Sequence, residues 1–362
     1  MASRRATRKS GFGVRPRLVV LLALLTLGVA SASARAQPFG QFLLLSGPAE
    51  GHVSVPSTPD LNPSAAFTFE AWVKVTDPGG CSNIAGKNYQ QSWWIGICGT
   101  TLRSYLKGGI GSQRNGGVLT PGEWSHIAVV YDGAHRFHYI NGEQVASFAE
   151  TGPLPASSSD LQIGGDAAYA NHTPNGTIDD VRLWNIARTQ TQIRAALAYL
   201  ESPTPTGLVA RWLFDGNTND SIGGHNGTRV GTTAYGFFGT GASCDAAANS
   251  TSLCLFHRVL IRAKFRVGAQ GTSEGIAQVV PVSNPGSGLF WFFSSDNWEV
   301  MVKAINACSL NSRWWIFSAA TTNVYYRLEV FDYPTGTQRI YFNYPGPPAP
   351  AVTDVSALAT CP

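Results

Sequence analysis

Two adjacent acids in NGTIDDVRLWNIARTQTQI (residues 175–193) are the first place where this chain could do chemistry. Asp179 and Asp180 could act as an acid–base pair, as metal ligands or as supports of the fold. Successive side chains of a strand point to opposite faces, which sets Asp179 with Val181 and Leu183, and Asp180 with Arg182 and Trp184. Carboxyl groups on opposite faces cannot flank one scissile bond, because glycoside hydrolysis needs them facing each other about 5–9 Å apart. The pair therefore reads as structural, one acid receiving loop amides and the other paired or solvated, with one of them joining a rim calcium site as the alternative.

Four other stretches carry candidate chemistry. GTSEG (271–275) matches a nucleophile elbow, but that turn needs a helix after it and the β-rich IAQVVPV follows, so it reads as an inter-strand loop. His135 and His138 share a strand at a spacing that turns them to opposite faces; they cannot share a metal and read as surface polar residues. In DGNTND (215–220), Asp215, Asn217 and Asn219 take positions 1, 3 and 5 of an EF-hand loop. Asp220 stands where that loop needs glycine and Asn226 where it needs glutamate, so the EF-hand is rejected. Asp215, Asn217, Asn219 and Asp220 still gather hard oxygen ligands and form the candidate calcium site, with a plain Asx-rich turn as the alternative. GGDAAYANHTPNG (164–176) holds Asp166, Tyr169, Asn171 and His172, which could offer an aromatic face to a pyranose and polar groups to its hydroxyls. A rim loop without a ligand is the alternative there. FWFF (290–293) and RWWIF (313–317) carry aromatics on both strand faces, expected in the sandwich interior, although an exposed platform could stack on sugars.

The elements that must position these residues are almost all strands. FTFEAWVKV (67–75), WWIGIC (93–98), EWSHIAVVY (123–131) and RFHYINGEQVASF (136–148) alternate, and Asn141-Gly142 is a strong hairpin signal. One helix is expected after Thr189, with Gln192 completing a capping box and Ile193, Leu197 and Leu200 along one face. Further strands follow a Gly/Ser/Ala-rich linker at 235–252, among them VLIRAKFRV (259–267), WEVMVKAI (298–305) and VYYRLEVF (324–331). The expected organisation is a signal peptide at 1–36, a domain at 38–234, the linker, and a second β-sandwich at 253–362.

The leader rests on six basic residues in MASRRATRKSGFGVRPR, the apolar run LVVLLALLTLGVA (18–30) and small residues at Ala34 and Ala36. That run is too short to span a bilayer, and no later stretch is apolar enough, so a soluble, secreted protein without a membrane span is expected. Removing the seven basic residues of 1–36 leaves 19 basic against 22 acidic residues, a net charge of −3. The basicity belongs to the leader, and nucleic acid is not an implied partner. Six cysteines in an oxidising compartment imply three disulfides. Cys81–Cys98 joins edges of neighbouring strands; Cys244, Cys254, Cys308 and Cys361 pair among themselves in one of three ways, of which Cys244–Cys254 with Cys308–Cys361 is one.

The blocks FTFEAWVKV, EWSHIAVVYDG with YINGEQV, LQIGG, NGTIDDVRLWNIARTQTQI and GLVARWLFDGNTNDSIGGHNGT, in that order, resemble a laminin-G-like domain of the concanavalin A-like lectin/glucanase superfamily. The resemblance implies an all-β chain: a concanavalin A-like jelly-roll sandwich, then a second, smaller antiparallel β-sandwich. Residues 244–362 resemble an uncharacterised cysteine-bracketed module at the C-terminal end of secreted bacterial proteins, and the context points to a bacterial source. Related glucanases carry an E-x-D-x-x-E strand, which this chain lacks. The expectation is a secreted, non-catalytic binding or adhesion protein that recognises a glycan or an extracellular protein through jelly-roll rim loops, with calcium as the candidate ion. The rivals are a divergent polysaccharide-acting enzyme and a structural surface or matrix component, since fold alone does not set function.

Overall fold

The computed structural model describes residues 40–361 except 47–50, 77–78, 108–111, 169–173, 198–203, 238, 240 and 283. The proposed leader lies outside the described residues. Fifteen strands come first. They are β1 (Phe42–Ser46), β2 (His52–Val55), β3 (Phe67–Val75), β4 (Cys81–Gly86), β5 (Trp93–Cys98), β6 (Thr101–Leu106), β7 (Ser112–Val118) and β8 (Ser125–Tyr131). Next are β9 (His135–Ile140), β10 (Glu143–Ala149), β11 (Leu161–Ile163), β12 (Asn175–Trp184), the helix α1 (Gln190–Ala195), β13 (Leu208–Trp212), β14 (Thr228–Val230) and β15 (Thr233–Gly236).

They form two antiparallel sheets. One runs β10-β9-β8-β3-β12-β1-β15 with β13 beside β12, and the other β14-β2-β11-β4-β5-β6-β7. Alternation explains the layering: Phe67, Phe69, Ala71 and Val73 of β3 point into a core with Ile95, Ile97, Leu183 and Trp212, all at most 1% exposed. Asn141 and Gly142 both have positive φ (49° and 73°), the geometry of the tight turn that joins β9 to β10. Thr189 caps α1, its hydroxyl accepting from the Gln192 N–H at 3.3 Å while the Gln192 side chain accepts from the Thr189 N–H at 2.8 Å. Ile193 and Leu197 are buried; Leu200 lies outside the described residues.

Ten more strands follow: β16 (Leu253–Leu255), β17 (Val259–Arg266), β18 (Gly275–Ile276), β19 (Gln278–Val279) and β20 (Ser287–Ser294). Then come β21 (Asn297–Ala307), a short helix α2 (Cys308–Asn311), β22 (Arg313–Ala320), β23 (Tyr325–Asp332), β24 (Gln338–Asn343) and β25 (Val352–Leu358). They pair as β16-β17-β23-β24, with β18 on β17, and as β19-β20-β21-β22-β25 around their own apolar core. The disulfides are Cys81–Cys98, Cys244–Cys254 and Cys308–Cys361.

The second sandwich packs on the outer face of the larger jelly-roll sheet. Phe42, Trp72, Trp124 and Leu197 meet Ile340, Phe342 and Tyr344 in one apolar cluster. Around it Glu123 binds Lys264 at 2.6 Å and Arg327 at 3.0 Å, and Arg266 binds Glu143 at 2.6 Å. Trp72 and Trp124 are therefore buried at a seam between the sandwiches rather than inside the jelly roll. No helix among the described residues is long and apolar enough to cross a membrane.

Candidate functional site

The paired acids sit at a bulge. Asp179 pairs with Trp72 of β3 and Arg182 with Glu70, so Asp180 and Val181 together oppose Ala71, one residue more than β3 supplies, and Asp180 takes φ +43°. The bulge resets the alternation. Asp179 shares the outer face with Trp72, not the core face with Val181 and Leu183, and the simple two-residue period is corrected here. Asp179 Oδ1 accepts the Asp180 N–H at 2.8 Å. Asp180 lies between Arg182, with Nε at 2.9 Å, and Arg211, with Nε at 2.7 Å. Glu70 takes Arg188, with Arg182 at 3.5 Å and His126 Nε2 at 3.4 Å. Burial disfavours its charged form, yet the His126 hydrogen bond and the charges of Arg188 and Arg182 prevail and hold the carboxyl at about 2. Asp180 is likewise held below the ordinary carboxylate range by Arg182 and Arg211, against the effect of its burial. Acids locked ionised and sealed at no more than 1% exposure cannot donate a proton to a substrate. The cluster supports the fold.

His138 is corrected as well. His135 is exposed, but His138 is fully buried, its Nε2 2.7 Å from Ser104 Oγ. Burial and the nearby Arg136 charge push its imidazole down to about 3. Ser104 is equally buried, so this serine–histidine contact is closed to any substrate. Ser273 of GTSEG lies in the loop between β17 and β18, with no helix behind it.

The DGNTND residues form a turn whose side-chain oxygens accept backbone amides of the turn and of neighbouring segments. Asp215 Oδ1 accepts from Gln41 N at 2.8 Å, and Asn217 Oδ1 from Asn219 N at 2.9 Å. Asp220 is buried; Oδ1 takes the Arg211 and Ile222 N–H groups, both at 2.9 Å, and Oδ2 lies 3.0 Å from His225 Nδ1. Its oxygens serve the turn. Of the four rim-loop residues, Tyr169, Asn171 and His172 lie outside the described residues. Asp166 is fully buried rather than turned outward, accepting from Tyr89 N at 3.0 Å and Ala168 N at 2.9 Å.

That bond leads to a groove which sequence reasoning missed. Residues 87–92 join β4 to β5 and carry Tyr89 over the outer face of the smaller jelly-roll sheet. The loop is pinned by Asp166 and by the buried Lys87, whose Nζ donates to Ser57 Oγ at 2.6 Å and to the Ser159 carbonyl at 2.7 Å. Tyr89 meets Tyr105 edge to face at 5.5 Å, forming one wall. The floor is Trp94: a Cβ on Gly96 would stand 2.2 Å from its ring, so this glycine is what lets the indole lie flat along the sheet. Its Nε1 donates to Asn83 Oδ1 at 2.6 Å. Arg103 closes one end, with Nε 2.6 Å from Asn115 Oδ1 and Nη1 3.5 Å from Cys81 Sγ of the Cys81–Cys98 disulfide. With its carbonyl turned toward the guanidinium, Gln113 also accepts from Nη1 at 2.6 Å. The open volume is about 210 Å³, and no carboxylate among the described residues lines it. A signal existed in the sequence: TLRSYL alternates, turning Arg103 and Tyr105 away from buried Leu102, Ser104 and Leu106.

In the second sandwich, Phe290, Phe292, Trp314 and Ile316 face the core. On the opposite faces Phe293 is 54% exposed and Trp291, Trp315 and Phe317 are half-buried, which corrects the expectation that these strands are interior on both sides.

Comparison with known proteins places the first half. Pappalysin-1 of Mus musculus is 42% identical over 96 residues, 25% of this chain, and that of Homo sapiens is 40% identical over 78 residues, 20% of it. The chain spans only 6% and 5% of the length of these two curated relatives. Among solved structures, a protein of Bacteroides ovatus ATCC 8483 is similar with a TM-score of 0.48 and 21% identity, over 55% of this chain and 60% of that one. The heptameric SAP-like pentraxin of Limulus polyphemus gives 0.42 and 16%, over 54% and 94%. Residues 47–194 match the family model of the concanavalin A-like lectin/glucanases superfamily, and this part of the chain is a laminin-G-like domain of that superfamily.

Proposed function

We propose that this is an exported, non-catalytic carbohydrate-binding protein whose saccharide site is the groove on β4–β7. The observation that carries the reading is Trp94, laid flat on the sheet beside the Tyr89–Tyr105 wall and ringed by the amides of Asn83 and Gln113. Flat aromatic surface packs against the apolar face of a sugar ring, and fixed amides take its hydroxyls. Because Asp166 and Lys87 hold the loop in advance, little ordering remains for the moment of binding. Among the described residues the lining carries no carboxylate, which supports binding over hydrolysis, a reaction that needs two opposed carboxyl groups. The three disulfides support an oxidising, extracellular setting and accord with the leader proposed at 1–36.

The test is a polysaccharide array probed with the wild-type protein and with Trp94→Ala, each in calcium and in chelator. Binding that survives chelator and disappears in Trp94→Ala is expected. Binding that Trp94→Ala leaves intact, or that chelator abolishes, would move the site to the rim loops.

A further inference from the structure

We infer that the groove selects acidic saccharides, with Arg103 receiving a sugar carboxylate; this rests on the proposal that the groove binds saccharide. Arg103 is the one charged residue in the groove's lining among the described residues. The other arginines that β12 and β13 bring together, Arg182 and Arg211, are each clasped by a carboxylate. Arg103 has no carboxylate partner among the described residues. Its contacts are the Asn115 and Gln113 carbonyl oxygens and the Cys81 sulfur, which fix the guanidinium without neutralising it. Nη2 takes no acceptor among the described residues. A planar guanidinium held in place, charged and with its Nη2 N–H groups unclaimed by the protein is matched by a planar carboxylate. A neutral sugar would leave that charge unanswered. The position fits the same ligand, because Arg103 and Tyr105 alternate on β6 and so present cation and aromatic to one groove. One ring could then lie on Trp94 while its carboxylate reaches the end of the groove.

Uronate polymers allow a direct test, since methyl esterification removes the charge and keeps the sugar. The intact protein is titrated with oligomers of polygalacturonate, alginate and hyaluronate, each as the free acid and as its methyl ester. At least one free acid is expected to bind about tenfold more tightly than its ester, the scale of one charge-assisted hydrogen bond. The advantage should shrink with added salt. Arg103→Gln should bring acid and ester to equal affinity without abolishing binding, Arg103→Lys should keep part of the preference, and Trp94→Ala should remove both. Equal affinity for every acid and its ester, with binding still dependent on Trp94, overturns the acidic preference and leaves the groove standing. A preference for acids that persists in Arg103→Gln overturns the role of Arg103, and one that persists in Trp94→Ala removes the groove itself.

Discussion

Replacing Glu70 with glutamine tests whether the buried charge cluster holds the first sandwich together. The carboxyl is shifted from 4.5 to about 2. A shift of that size corresponds to about 3 kcal/mol of stability at neutral pH. Mutational experience with buried ion pairs gives a similar scale: removing one partner costs about 3–5 kcal/mol, because the other charge remains buried. Here Arg182 and Arg188 would be left facing an amide. The sign follows from the depressed pKa: the carboxylate's contribution is complete above pH 4.5 and is lost as pH falls through about 2. At pH 3 the gap between the wild type and Glu70→Gln should narrow to about 1 kcal/mol. Urea unfolding followed by tryptophan fluorescence measures the gap at pH 7 and pH 3, and a melting point lowered by roughly 6–12 °C at pH 7 should accompany it. Less than about 0.5 kcal/mol at pH 7, the range of an ordinary surface substitution, would refute the cluster's role. A gap of equal size at both pH values would refute the electrostatic origin while leaving the packing.

Two other substitutions separate positioning from packing. Asp166→Ala leaves the Tyr89 and Ala168 amides without their acceptor, a loss of about 1–3 kcal/mol, and should weaken saccharide binding although its side chain is buried away from the groove; unchanged titrations at a temperature where the variant stays folded would sink this role. Trp72→Ala opens the seam between the sandwiches and should cost about 3–5 kcal/mol in thermal or urea unfolding, while groove affinity stays within about twofold of wild type; a parallel fall in affinity would show that the seam shapes the groove.

Local pattern was enough for much of the fold. FTFEAWVKV forms β3 at 67–75, Asn141-Gly142 makes its hairpin, and Thr189 with Gln192 makes its capping box, because each signal depends on a few neighbours in the chain. The failures have one cause. Strict alternation assumes a uniform pleat, and the bulge at Asp180 shows only in the pairing of β12 with β3, more than a hundred residues apart. His138 was correctly set opposite His135, but which side would be covered depends on Ser104 and Arg136 meeting it. The groove draws its residues from four strands and a loop, and its tryptophan lies flat only because Gly96 sits beside it. Those relations follow from strand register, which a single segment does not carry. Asp166 belongs to the same class: its residue type suited a polar contact, and the nearby Tyr89 amide claimed it.

The two outer faces of the jelly roll carry different electrostatic problems, and this explains which one is free to bind. Beneath α1, the larger sheet gathers Glu70, Asp180, Arg182, Arg188 and Arg211, all at most 7% exposed and linked in one chain of ion pairs. Charges at such burial are tolerable only when paired, and these are paired with one another. Beside the cluster, Trp72 is covered by Phe342 of the second sandwich. The smaller sheet presents aromatic rings and amides, and its one charge in the groove stays half-buried with only neutral partners. On the proposed function, a sugar would supply such a surface with an apolar face and a counter-charge. The second sandwich thus packs where the first has settled its own charges, and the groove remains on the sheet that has not.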